Sequence, residues 1–204
     1  YNVFGLERNS SKGVSITKNF NKGKLEFITS DSLLKKYLKF QVLKTKNLQA
    51  TYDPNVIKKS DIILITIGCD LTNSKTFRKK FQSFIKTLNN IFEYITENSL
   101  IILESTVPPG TCENFLYPNL LKILKRKKIK SNSVFFAYSY ERVMPGKNYF
   151  KSITNYWRVY AGINELSTLK CAKFYKNLIN TKKFPLTKLQ KIRDAELAKI
   201  LENS

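Results

Sequence analysis

The sequence predicts an α/β fold built on a doubly wound parallel sheet, and three observations predict it. Two short runs, Asp61-Ile-Ile-Leu-Ile-Thr-Ile-Gly and Leu100-Ile-Ile-Leu-Glu, are apolar on both faces, as parallel strands covered by helices on each side must be. Apolar residues then recur at helical spacing, Phe77, Phe81, Phe84, Ile85, Leu88, Ile91 and Phe92 in one stretch and Phe115, Leu116, Leu120, Leu121 and Leu124 in another, which marks amphipathic helices. The two kinds of segment alternate along the chain, and alternation selects βαβ units over a segregated architecture. In such a sheet, ligands bind beyond the carboxyl ends of the strands.

The elements follow in order. Val3 to Glu7 is an apolar run closing on an acid, expected as a buried parallel strand that ends in a loop. Ser30-Asp31-Ser32 offers N-cap chemistry to a helix carrying Leu33, Leu34, Tyr37 and Leu38. Asn47 to Tyr52 is extended, and Asp53-Pro54 opens a short helix that ends near Lys59, with an acid at its cap and a proline in its first turn. The 61–68 strand, the helix through Phe92, the 100–104 strand and a helix after Pro108-Pro109-Gly110 come next. Ser133 to Tyr138 and Arg158 to Ile163 supply two more strands, and Leu166 to Leu178 a further helix. Past Pro185 the alternation stops, because Asp194 to Ser204 is helical with no strand behind it. The expected division is therefore an α/β domain over 1–185, whose first strand lies upstream of Tyr1, and the start of an α-helical central domain over 186–204.

Composition narrows the function. With 204 residues and 42% hydrophobic content, the chain buries one substantial core. It has no run of about 18 apolar residues, so no membrane partner is expected. Cys69, Cys112 and Cys171 are far apart and form neither a disulfide framework nor a zinc-ligand spacing; a cytoplasmic location follows as the expectation. There is no histidine, which excludes His-based triads and His-ligated metals, and no metal site is expected. The net charge of +21 raises the possibility of a nucleic-acid partner. The lysines, however, spread along the whole chain, and the one dense run, Lys122 to Lys130, sits where an amphipathic helix ends, a place that favours cations. The charge reads as solvated surface, with no nucleic acid bound.

The seven glycines are too scattered for G-x-G-x-x-G, so the phosphate-cradling turn of a Rossmann-like fold is expected ahead of Tyr1. Glu7 closes a strand, where such folds place the acid that accepts hydrogen bonds from a ribose. Thr106 stands where a buried strand meets the Pro-Pro-Gly turn, which puts a hydroxyl at the sheet's carboxyl end. Lys199 and Asn203 are spaced i, i+4 and so share one helix face.

Three longer motifs stand in a fixed order: Glu104-Ser-Thr-Val-Pro-Pro-Gly-Thr, Tyr138-Ser-Tyr-Glu-Arg-Val-Met-Pro-Gly-Lys and Asn155-Tyr-Trp-Arg-Val-Tyr-Ala-Gly. Together they resemble the nucleotide-sugar dehydrogenase family, which includes UDP-glucose and GDP-mannose dehydrogenases. Glu141-Arg-Val-Met-Pro-Gly is most similar to members that oxidise UDP-N-acetylhexosamines, UDP-N-acetylmannosamine among them, and Ala195 to Ser204 resembles the opening of the family's central helical domain. The resemblance implies NAD as cofactor, a UDP-sugar as substrate, oxidation of the sugar C6 alcohol to a uronic acid, and a homodimer at full length.

The resemblance also implies roles. Thr106 would contact the nicotinamide side of NAD and help hold a catalytic water. Glu141 would act as general base or steer that water, Lys199 would stabilise the developing oxyanion, and Asn203 would order the reacting oxygen. Arg142 and the backbone of Val143, with Lys199 and Asn203, would hold the sugar nucleotide. Glu7 and Lys12 would lie at the adenosine end of NAD. Family members carry a Pro-Thr-Pro-like turn where this chain reads Gly68-Cys69-Asp70; two readings stand there, an NAD contact by Cys69 through its backbone or an inert buried thiol. Neither Cys112 nor Cys171 matches the family's nucleophilic cysteine, which belongs to a later domain, and these 204 residues alone are expected to be inactive. The competing readings are a Rossmann-type NAD-binding oxidoreductase of another class, a non-catalytic homologue, and a basic nucleic-acid-binding module.

Overall fold

The structure is a computed structural model that describes residues 1–69, 75–143 and 146–203, with the side chain of Asn203 outside that description. The chain divides into two compact units, Tyr1–Lys59 with Val143–Thr154, and Ser60–Arg142 with Asn155–Ser204.

In the first unit, strands β1 (Val3–Leu6) and β2 (Leu48–Thr51) pair in parallel, Val3 opposite Leu48. Helices α1 (Ser11–Phe20) and α2 (Ser32–Lys39) lie between them in sequence. Ser10 caps α1 by accepting a hydrogen bond from the Gly13 N–H at 3.1 Å. One oxygen of Asp31 caps α2, accepting from Leu34 N–H at 3.0 Å, and the other accepts from Phe150 N–H at 2.8 Å at the start of α5 (Tyr149–Thr154). These bonds, the Phe150 one foremost, hold the Asp31 carboxyl below the usual carboxylate range. The expectation of a buried first strand is corrected: all four β1 residues are exposed. Among the described residues β2 is its only strand neighbour. Helix α1 was not foreseen either; lysines and polar residues dilute its apolar period, and only the Ser10 cap announces it.

Among the described residues the second unit carries five strands in the order β3 (Ile62–Ile65), β4 (Leu100–Leu103), β5 (Phe135–Tyr138), β6 (Arg158–Gly162) and β7 (Leu186–Lys188). Helices α3 (Phe77–Phe92), α4 (Tyr117–Arg126), α6 (Glu165–Lys176) and α7 (Ile192–Asn203) accompany them, with a wide helical turn, Cys112–Leu116, leading into α4. Every residue of β4 and β5 is buried. Leu88 and Phe92 of α3 and Leu116 and Leu120 ahead of and within α4 are fully enclosed. In β3, by contrast, Leu64 is 43% exposed, so that strand is covered on one face rather than both.

The parallel expectation holds from β3 to β5 and fails at β6, which runs antiparallel to β5 with Tyr138 opposite Ala161. The reason lies in the connection. Between β5 and β6 the chain passes through Val143–Thr154, which belongs to the first unit, instead of through a helix returning across the sheet, and a parallel neighbour needs such a crossover. Strand β7 then pairs in parallel with β6, Arg158 opposite Leu186, so the sheet continues past residue 185.

Candidate active site

Strands β3 and β4 end side by side, locked by the Glu104 N–H donating to the Ile65 carbonyl at 2.8 Å. Their carboxyl ends open onto a cleft of about 270 Å³ lined by Thr66, Ile67, Gly68 and Cys69 after β3, Glu104, Ser105 and Thr106 after β4, and Glu141 after β5. Thr106 and Glu141, chosen from separate motifs, therefore face one cleft at the edge where an open α/β sheet binds ligands.

Lys199 arrives from α7. Its ammonium donates to the Glu141 carbonyl at 3.3 Å and stands 3.8 Å from the Glu141 carboxylate. It also lies 5.3 Å from the centre of the Tyr140 ring, within range of a cation–π attraction. Burial, aided by Glu202, pushes the Tyr140 hydroxyl up to about 12. Thr106 and Glu141 thus line one cleft, and Lys199 reaches Glu141, all within the second unit. The helix backbone reaches Asn203, whose side chain lies outside the described residues, as do Asp70, Met144 and Pro145 of the predicted motifs.

The remaining predicted residues are placed as follows. Arg142 forms an ion pair with Glu202 on α7, and its guanidinium lies 5.1 Å over the Tyr156 ring. Val143 is half-buried and falls in the first unit, as do Glu7 and Lys12. Glu7 directly follows β1, its N–H extending the ladder to the Thr51 carbonyl and its carboxylate accepting from the Arg8 N–H at 2.8 Å. Lys12 is exposed in the first turn of α1. Cys69 is half-buried in the cleft wall.

Two buried carboxylates were not read from the sequence as parts of the site. Glu104, in the cleft lining, takes a hydrogen bond from Arg158 at 2.6 Å and from the Tyr175 hydroxyl at 2.5 Å, while the Arg158 guanidinium lies 4.6 Å from the Tyr175 ring. Glu196, fully buried on α7, accepts from the Gly110 N–H at 2.5 Å and the Cys112 N–H at 2.9 Å. Burial raises its carboxyl against the pull of those bonds. A signal for Glu196 was present: Ile192, Ala195, Glu196 and Lys199 fall at i, i+3, i+4 and i+7, one face of a helix. Among the described residues no group of three or more His, Cys, Asp or Glu side chains could hold a metal ion, and no helix is long and apolar enough to cross a membrane.

Fold and cleft define an α/β protein with a cleft at the carboxyl edge of a mainly parallel sheet. Over residues 3–179 the chain matches the UDP-glucose/GDP-mannose dehydrogenase family, NAD binding domain, and it belongs to that family. It is 25% identical to the UDP-N-acetyl-D-mannosamine dehydrogenase of Methanocaldococcus jannaschii over its whole length, and 30% identical to the Methanococcus vannielii protein of the same name over 72% of it. The chain spans 42% and 31% of those relatives. Its fold superposes with a TM-score of 0.82 on NDP-N-acetyl-D-galactosaminuronic acid dehydrogenase from Methanosarcina mazei, at 25% identity, over 98% of this chain and 41% of the other.

The cleft has room for part of a dinucleotide such as NAD. A side chain built at Gly68 would meet nothing within 4 Å, leaving open space beside the apolar Ile67 for a flat ring. Thr66, Ser105 and Thr106 bring hydroxyls, and Glu104 and Glu141 carboxylates, to the same wall, polar groups that can fix the orientation of a ligand.

Proposed function

We propose that this chain is the NAD-binding portion of a UDP-sugar 6-dehydrogenase acting on a UDP-N-acetylhexosamine, with residues 186–204 opening the central helical domain of the whole enzyme. The observation that carries the proposal is the approach of Lys199 to Glu141 at the cleft that Thr106 lines. Bound NAD would accept hydride from the sugar C6.

The protein groups do the rest. The Lys199 ammonium, 12% exposed, stabilises negative charge on the reacting oxygen, and a preorganised charge in a partly dry site is worth far more than one in water. Glu141, close enough to be held by that ammonium yet open to the cleft, takes or directs the proton of an attacking water. The Thr106 hydroxyl holds that water against the nicotinamide, and Asn203 orders the reacting oxygen. Arg142, with the Val143 backbone, grips the nucleotide's charge, a task suited to the guanidinium fork. Glu7 and Lys12 take the adenosine end, and Cys69 contributes its backbone. Two supports bear on the rest of the enzyme. Leu197 and Leu201, a helical turn apart on α7 and 44% and 67% exposed, fit a homodimer through the central helices, and the buried Cys112 and Cys171 thiols fit the cytoplasm.

The test is a titration of the full-length protein with NAD followed by amide NMR. The expected result is shifts at Thr66, Cys69 and Thr106, reduced in Thr106→Val; a folded chain whose cleft resonances do not respond overturns the reading. Mixed with NAD and UDP-N-acetylmannosamine, these 204 residues are expected to make no NADH.

A further inference from the structure

We propose that Glu196 is a positioning residue: its carboxylate ties α7 to the turn after β4 and so fixes how far Lys199 reaches towards Glu141. The inference rests on the reading of Lys199 as the group that stabilises charge on the reacting oxygen.

The turn after β4 is drawn tight by Thr111, whose N–H and hydroxyl both donate to the Pro108 carbonyl, at 3.1 and 2.6 Å. Gly110 adopts a φ of +87°, the left-handed region that favours glycine. The Gly110 and Cys112 N–H groups stand at the opening of the helical segment that becomes α4, where backbone donors lack partners within the helix. Glu196 answers both donors, one oxygen to each, 86 and 84 residues away in sequence.

Burying a carboxylate is costly unless its oxygens are hydrogen-bonded, and these two bonds have a single geometry that satisfies them together. A slip of α7 by one residue moves it about 1.5 Å along its axis, which breaks both. Lys199 lies three positions on and shares the face of Glu196. The same helix face therefore touches the turn through one side chain and Glu141 through the other, and the first contact sets the second. An aliphatic residue at 196 would fill the same space without defining that register.

The experiment uses the chain alone, with its lysines carrying ¹³C-methyl labels and the Lys199 signal assigned by Lys199→Arg. Because the ammonium sits over the Tyr140 ring, the Lys199 methyl signal is expected to be displaced from those of exposed lysines. Glu196→Met, similar in size but without an acceptor, is expected to return it to the exposed position while β4 and β5 resonances stay put. Glu196→Gln, which keeps one acceptor, is expected to fall between the two and to speed amide exchange at Gly110 or Cys112 about tenfold, as loss of one buried bond implies. A folded Glu196→Met chain with the Lys199 signal unmoved overturns the proposal. If that variant does not fold, an unmoved signal in Glu196→Gln overturns it equally. Neither NAD nor sugar is present, so a failure here leaves the cofactor titration standing, and a failure there leaves this measurement intact.

Discussion

Cys171, fully buried in α6, shows what one enclosed side chain does to its own chemistry. Burial above all pushes its thiol up to about 12, with Arg158 pulling the other way and Glu104 reinforcing the rise. At pH 8 the reactive thiolate is then about one part in ten thousand. Iodoacetamide at that pH is expected to leave Cys171 unmodified in the folded chain and to alkylate it once denaturant is added; rapid native labelling, read by mass spectrometry, would contradict the burial. The linkage sign follows from an acid whose folded value is raised: its contribution to stability is complete below the ordinary thiol range and is lost as pH climbs towards 12. Residue identity alone hinted at little of this. The placement of Thr106 and Glu141 was legible because each stands in a family motif a few residues past a buried strand, and the carboxyl end of a strand is where open α/β sheets bind ligands. Glu104 and Glu196 were not assigned, since a charge in a sequence reads as solvated until partners from 54 to 86 residues away are seen.

Among the elements, the junction of β6 and α6 gives the sharpest expectation. A Cβ built at Gly162 would lie 2.4 Å from the Thr168 N and 2.7 Å from its hydroxyl, which itself accepts from the Gly162 N–H at 3.0 Å. Helix α6 can only accommodate Gly162→Ala by moving its first turn off the strand, at a cost of about 1–3 kcal/mol. At Gly5 in β1 the nearest atom to such a Cβ is 3.9 Å away, and the matching Gly5→Ala change is expected to stay within about 0.5 kcal/mol. Denaturant midpoints of the two variants check the contrast. Elements with a strong period were legible: α3 runs as the phenylalanine spacing requires. Strand β7 was not, for it is three residues long and two of them are exposed, so its conformation comes from pairing with β6. The reversal of β6 was equally hidden, because strand direction leaves no trace in a period of two.

At the scale of the whole molecule the net charge of +21 sets an expectation against the nucleic-acid reading. Dispersed lysines bind a duplex only by displacing its counterions, and such binding collapses as salt rises from about 50 to 200 mM. Fluorescence anisotropy with a labelled duplex is expected to show that loss. Tight binding that persists at the higher salt would return nucleic acid to consideration. The division into two compact units had no counterpart in the sequence, where a single domain was expected up to residue 185; the second passage of the chain through the first unit, at Val143–Thr154, is invisible to local patterning.

By itself the sequence determined the class of fold, the order of most strands and helices, and the motifs that identify the family, because apolar period and strand-end chemistry are properties of neighbouring residues. Only the tertiary structure decided that β6 runs backwards, that β1 lies exposed, and that Glu104 and Glu196 are buried and bonded. Those outcomes depend on groups far apart in the chain, and the energies that fix them, desolvation and hydrogen bonding at a distance, exist only once the chain has folded.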